Sequence, residues 1–251
     1  MNHLELEQRL NAELSPHLIK DYCPNGLQVE GKSEVRKVIT GVTASKALIE
    51  RAIEANADAI LVHHGYFWKG EAEPIRGMKG TRIRQLIKHD INLYAYHLPL
   101  DIHPTLGNNA QLAQLLDIEV LGGLEPTPQS VVMQGRLKQP MSAEQFGQKI
   151  AQVLNRQPLH IASGNGNQIE TIGWCTGGGQ DFIELAAANY LDAYLSGEIS
   201  ERTTYSAREQ NIHYFAAGHH ATERYGVKAL GEWLSQTYDL DVEFIDIDNP
   251  V

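Results

Sequence analysis

An internal repeat constrains this chain more than any single motif does. GVTASKALIERAIEANADAILVHHG can be laid over WCTGGGQDFIELAAANYLDAYLSGE, with Asp58 and Ala59 matched to Asp192 and Ala193. In both copies a strand, a loop of small residues, a helix and a second strand follow in order. Further on, LIKHDINLYAYHLPLD matches SAREQNIHYFAAGHHATE with about one residue of slippage. A strand, helix, strand order of this length is a βαβ unit, so the chain reads as an α/β protein of two pseudo-repeated lobes. Gly, Pro and Ser cluster in GGLEPTPQS, residues 122 to 130, and mark the linker. The expected lobes are therefore residues 1–125 and 126–251.

The remaining elements follow from periodicity. Leu4, Leu10 and Leu14 predict a short amphipathic helix over 4–14, and PNG at 24–26 a turn before an extended stretch. VRKVITGVTAS predicts a strand, KALIERAIEANA a helix and DAILVHHG a buried strand. TRIRQLIKHD and NAQLAQLLDI read as helices, INLYAYH as a strand ending at His97, and LPLDIHPTLGNN, with two prolines, as loop. In the second half, SAEQFGQKIAQVLN reads as a helix capped by Ser142, SGNGNQ as a turn and IETIGWC as a strand. DFIELAAANY and ERTTYSAREQ are helical, LDAYLSG and IHYFAAG strands, and a last helix covers 222–236. The alternating tail DVEFIDID predicts a terminal strand.

Composition bounds the function. The chain has 251 residues and a formal charge of -10, which argues against a broad electrostatic grip on nucleic acid. Its two cysteines, Cys23 and Cys175, form no CxxC pattern, so neither a thiolate zinc site nor a disulfide framework is suggested. The absence of a secretory pattern in MNHLELEQRLNAEL and of a long apolar run predicts a cytoplasmic protein with no membrane partner.

The chemistry gathers at strand ends. His63 and His64 close an apolar run, where successive side chains leave opposite faces and could serve two neighbouring ions. In the overlay, His97 with Asp101 corresponds to His219 with Glu223: each lobe carries a histidine and, four residues on, a carboxylate. Pro99 argues against a regular helix over 97–101, whereas His219 and Glu223 could share the face of a first helical turn. Imidazole with carboxylate suits zinc, iron, manganese or nickel better than magnesium or calcium. These six residues suffice for two ions sharing a bridging carboxylate, an arrangement about 3.5 to 4 Å across that acidifies water for hydrolysis. Taken singly, each histidine could equally be an ordinary hydrogen-bonded residue.

Three further features admit two readings each. TGGGQ, residues 176–180, could cradle a phosphate on backbone N–H groups of Gly177, Gly178 and Gly179, with Ser196, Gly197 and Glu198 as neighbours across the sheet edge, or could be a tight turn between strand and helix. YFWKG, residues 66–70, could stack a planar base and hold its phosphate through Lys69, or form a lid or subunit contact. Cys175 lacks an evident base and reads as a buried structural thiol.

The set PNGLQVEG, GVTAS, VHHGYFWKG, HLPLDIHPTLGNN, CTGGGQ, SGE and GHHATE, in this order over nearly the whole chain, resembles the Nif-three-like family, whose members are often labelled GTP cyclohydrolase I type 2 homologues. The resemblance implies a two-lobed α/β fold with a dinuclear metal centre between the lobes, and a toroidal homohexamer. It implies that two divalent ions are held by His63, His64, Asp101, His219 and Glu223, with His97 in the same constellation as a further ligand or proton carrier. The expected function is a metal-dependent hydrolase acting on a nucleotide or related heterocycle, as in ring opening of GTP. The rival expectation is a metal-stabilised ring that binds nucleic acid or serves as a scaffold in coping with damage, without turnover. A two-iron oxidase is compatible with the same ligand types.

Overall fold

The computed structural model describes the chain except residues 165 and 167, so the turn expected at SGNGNQ lies partly outside the described residues. The strands are β1 (Gly26–Val29), β2 (Lys37–Thr43), β3 (Ala59–His64), β4 (Asn92–Ala95), β5 (Ile118–Gly123), β6 (Met133–Met141), β7 (Leu159–Ile161), β8 (Ile169–Cys175), β9 (Ala193–Ser196), β10 (His213–Ala216) and β11 (Asp241–Phe244). The helices are α1 (His3–Leu14), α2 (Lys46–Glu54), α3 (Gly77–Lys88), α4 (Leu98–Asp101), α5 (Asn108–Leu115), α6 (Ala143–Leu154), α7 (Ile183–Ala188), α8 (Glu201–Glu209) and α9 (His219–Thr237).

Two compact units result. One comprises Met1–Gly107 with Gly226–Asp248, the other Asn108–Tyr225 with Asn249–Val251. The division differs from the expected 125/126 because of strand pairing. Strand β5 pairs antiparallel with β6, so GGLEPTPQS connects two strands of one sheet instead of joining the lobes. Strand β11 pairs parallel with β2 and returns the C-terminal segment to the first unit.

The first unit holds a five-stranded sheet in the order β1-β4-β3-β2-β11, with β1 antiparallel to β4 and the other pairings parallel. Alternation along the strands supplies two cores. Ile39, Ile60, Val62 and Leu93 pack with Leu48 and Ile49 of α2 and Leu86 of α3. Val38, Val42, Leu61 and Tyr94 pack with Leu6 and Leu10 of α1 and Leu230 and Leu234 of α9. Burial on both faces is why these strands read as continuous apolar runs.

The second unit repeats the pattern. Its sheet has the order β5-β6-β8-β9-β10-β7, with β8, β9 and β10 parallel and β7 antiparallel at the edge. The run β7-β10-β9-β8 thus reproduces β1-β4-β3-β2, of which the sequence overlay covers β10-β9-β8 and β4-β3-β2. Phe146 and Ile150 of α6 fill one face with Trp174, Leu195 and Phe215. Ser142 caps α6 by accepting from the N–H of Gln145 at 3.2 Å.

The overlaid aspartates play the same part in each unit. Asp58 Oδ2 accepts from the N–H groups of Arg36 and Lys37 at 2.8 and 2.9 Å, anchoring the start of β2. Asp192 Oδ2 accepts from those of Glu170 and Thr171 at 3.1 and 2.8 Å, anchoring the start of β8. No helix among the described residues is long and apolar enough to cross a membrane.

Candidate metal centre

The first unit brings its histidines together at the C-terminal end of β3. His63 follows Leu61 in alternation and is fully buried, while His64, facing the other way, is half-buried; their rings still lie 4.6 Å apart where the strand ends. Gly65 is required there by close approach: a Cβ would sit 2.2 Å from Gln28 Oε1 and 2.6 Å from Ala95 Cβ. The ring of His97 lies 5.1 Å from that of His63 and 5.8 Å from that of His64. One nitrogen from each of the three lies within 4.8 Å of the others, so they could hold an ion together.

Asp101 reaches this cluster on α4, which corrects the expectation of loop. The N–H groups of Leu100 and Asp101 donate to the carbonyl of His97 at 2.9 and 3.2 Å, closing a helical turn. Pro99 fits because it stands in the first turn, where its missing N–H has no partner to lose. His97 and Asp101 therefore share a helical turn, as His219 and Glu223 do on α9.

The hydrogen-bond chemistry of His63 points to a cation. Its Nδ1 lies 3.0 Å from the carbonyl oxygen of Tyr96, which can only accept, so Nδ1 carries the proton. In the neutral ring Nε2 is then an acceptor, and it faces Oδ1 of the buried Asp101 at 3.5 Å. Two acceptors turned toward each other in a buried place require a proton or a metal ion between them. His64 Nδ1 lies 3.2 Å from Thr43 Oγ1.

The loop beyond β3 closes over the rings. Phe67 has a φ of 65°, a strained value for a bulky side chain, and the turn it makes sets Trp68 perpendicular to His97 at 4.9 Å. The Trp68 indole donates to the carbonyl of Gly65 at 3.2 Å. Lys69, next along, is exposed.

In the second unit, His219 opens α9 with a carboxylate on each ring nitrogen. Nδ1 lies 2.7 Å from Glu198 Oε1 and Nε2 3.2 Å from Glu223 Oε2. Burial disfavours the imidazolium, but the two carboxylates outweigh it and lift the His219 pKa to about 9. Metal binding there must displace that proton. Gly177, at φ 64°, passes directly beneath: a Cβ would lie 2.1 Å from Glu223 Oε1 and 3.0 Å from His219 Nε2. Within TGGGQ the N–H groups of Gly177 and Gly179 donate to Thr222 Oγ1 and Ser196 Oγ, both at 3.0 Å.

Two carboxylate contacts escaped the sequence reading. Glu198, named only as a neighbour of the glycine loop, lies 2.7 Å from Nδ1 of His219. Asp21 was not singled out; its Oδ1 lies 2.7 Å from Nδ1 of His97. Burial raises its pKa, but the bond to His97, the charge of that ring, and bonds from Asn25 and Tyr22 bring it below the usual carboxylate value. The separation of 76 positions between Asp21 and His97 leaves no periodic signal for such a pairing.

The chain matches the family model described as Duf34/NIF3 (NGG1p interacting factor 3) over residues 1–250. A Vibrio cholerae relative named GTP cyclohydrolase 1 type 2 homolog is 72% identical, covering 100% of both chains. A relative of the same name from Escherichia coli K12 is 54% identical, again over 100% of both. The solved structure of the protein ybgI, described as of unknown function, matches with a TM-score of 0.97 at 54% identity over 100% of both chains.

Proposed function

For a chain that belongs to the Duf34/NIF3 family, we propose a dinuclear metal-dependent hydrolase acting on a nucleotide or related heterocycle, with ring opening of the GTP cyclohydrolase kind as the leading reaction. The observation that carries this reading is the buried acceptor pair of His63 Nε2 and Asp101 Oδ1, which a divalent cation would reconcile.

In this reading His63, His64 and Asp101 of one unit act with His219 and Glu223 of the other as a single centre for two divalent ions, and the imidazole and carboxylate donors suit zinc, iron, manganese or nickel. When bound, such a pair supplies Lewis acidity and water acidified toward neutral pH. The chain's own residues do the rest. Tyr96 fixes the tautomer of His63 so that Nε2 offers a lone pair. His97 carries a proton at Nε2 to the leaving nitrogen, since its Nδ1 is held by Asp21. Trp68 shields these rings from solvent on the side it covers. Lys69 and the loop of Gly177, Gly178 and Gly179 are the proposed phosphate contacts. Lys69 carries the larger share, because Gly177 and Gly179 already spend their N–H groups on Thr222 and Ser196. A homohexameric toroid, as the family resemblance implies, is the proposed assembly.

The test is turnover of GTP by protein loaded separately with zinc, manganese, nickel and ferrous iron, for wild type, Asp101→Ala and Glu223→Ala. Metal-dependent release of formate or of the ring-opened nucleotide by wild type, lost in both variants with the oligomer intact, supports the hydrolase. No turnover with any metal, together with assembly that collapses in the variants, supports a scaffold instead.

A further inference from the structure

Asp21, Cys23 and His97 offer ligand atoms within 4.8 Å of one another. The cluster has the composition of a third cation site, but its hydrogen bonds give it another use. Asp21 Oδ1 accepts from the N–H of Tyr22 at 2.6 Å and lies 2.7 Å from His97 Nδ1. Oδ2 accepts from Nδ2 of Asn25 and from the N–H of Leu98, both at 2.9 Å. All four bonds are short, so the carboxylate is saturated and rigid. Cys23 is buried, and desolvation pushes its thiol up to about 12, which leaves it protonated beside the pair.

We propose that Asp21 is a positioning residue: it holds the Nδ1 proton of His97 and so keeps Nε2 turned toward His63 and His64. The role rests on the proposed hydrolase only in what Nε2 does there; the orientation itself does not depend on it. Three features favour positioning over simple loop closure. The carboxylate side chain is nearly inaccessible, at 3% exposure. It grips both the ring of His97 and the N–H of the following residue, fixing backbone and side chain together. Asn25, in the same turn, accepts from the N–H of His97 itself at 2.8 Å, so one short loop holds both the backbone and the ring of this histidine.

The test combines ¹⁵N-histidine NMR of the metal-free protein with GTP turnover of the metal-loaded protein, for wild type, Asp21→Asn and Asp21→Glu. Wild-type His97 is expected to show protonated Nδ1 and a bare Nε2, and Asp21→Asn to lose that signature. Asp21→Asn is expected to lower kcat about 10- to 100-fold with KM and bound metal nearly unchanged, and Asp21→Glu to recover part of kcat. An Nε2–H tautomer in wild type overturns the assignment, and this reading needs no variant to fold. An unchanged His97 signature in folded Asp21→Asn overturns it as well. Absence of turnover in every protein defeats the hydrolase reading alone, because the tautomer still decides the role of Asp21.

Discussion

His63 Nε2 and Asp101 Oδ1 face each other at 3.5 Å and are two acceptors whenever the ring is neutral, because the other ring nitrogen of His63 is committed to the Tyr96 carbonyl. With neither a proton nor a cation between them the arrangement is poor for stability, and it is good for binding a cation. Asp101→Asn places an amide donor opposite Nε2 and should relieve the mismatch. The metal-free variant is expected to be more stable than metal-free wild type by about 1 kcal/mol, while its metal content falls. Urea denaturation in the presence of chelator, with elemental analysis of the untreated proteins, checks both parts.

Gly177 lies under the second cluster with no room for a methyl group. Gly177→Ala forces Glu223 Oε1 aside and imposes a left-handed backbone on alanine. The expected result is a loss of about 1 kcal/mol or more of stability and a larger fractional loss of bound metal. A variant that keeps its full metal content would mean that Glu223 does not need its present position.

Asp58 anchors β2 through two backbone N–H groups and a 2.8 Å bond from Lys32. Burial pushes its pKa up, but the Lys32 bond and the two N–H groups more than offset this and hold it below the usual value of 3.8. Its contribution is therefore complete above that value and is lost as pH falls through the depressed one. Asp58→Asn is expected to cost about 1 to 2 kcal/mol at neutral pH, with the gap from wild type closing as pH falls below about 4. Urea titrations across that range measure the gap.

The same aspartate shows how far the sequence could be read. Matching Asp58 to Asp192 aligned two βαβ units correctly, because anchoring a strand start by a carboxylate is a local device with a fixed place in the repeat. Strands β5, β6 and β7 had no such signal. β5 is mostly exposed and does not alternate, β6 is interrupted by Lys138, Gln139 and Pro140 before it ends at Met141, and β7 has three residues. The four candidate histidines and the acids Asp101 and Glu223 were legible as groups at or just after strand ends. Asp21 and the contact of Glu198 with His219 were not, since they depend on contacts between residues far apart in the chain. Pro99 misled because its place in a first turn cannot be told from a helix-breaking place by composition.

Lys69 is exposed beside Trp68 and should contribute to affinity without touching the metals. Lys69→Ala is expected to raise KM for a phosphorylated substrate about 5- to 10-fold with kcat and metal content unchanged, and to have little effect with the dephosphorylated nucleoside. Steady-state kinetics on the two substrates distinguish these outcomes.

The most direct measurement is metal content by elemental analysis of purified protein, for wild type and for the His63→Ala/Glu223→Ala double variant, after incubation with zinc, iron, manganese and nickel and removal of excess ion. About two ions per chain in wild type, lost in the variant, is the expected result. Wild type that retains no ion would contradict the account and leave His63, His64 and His219 as structural residues.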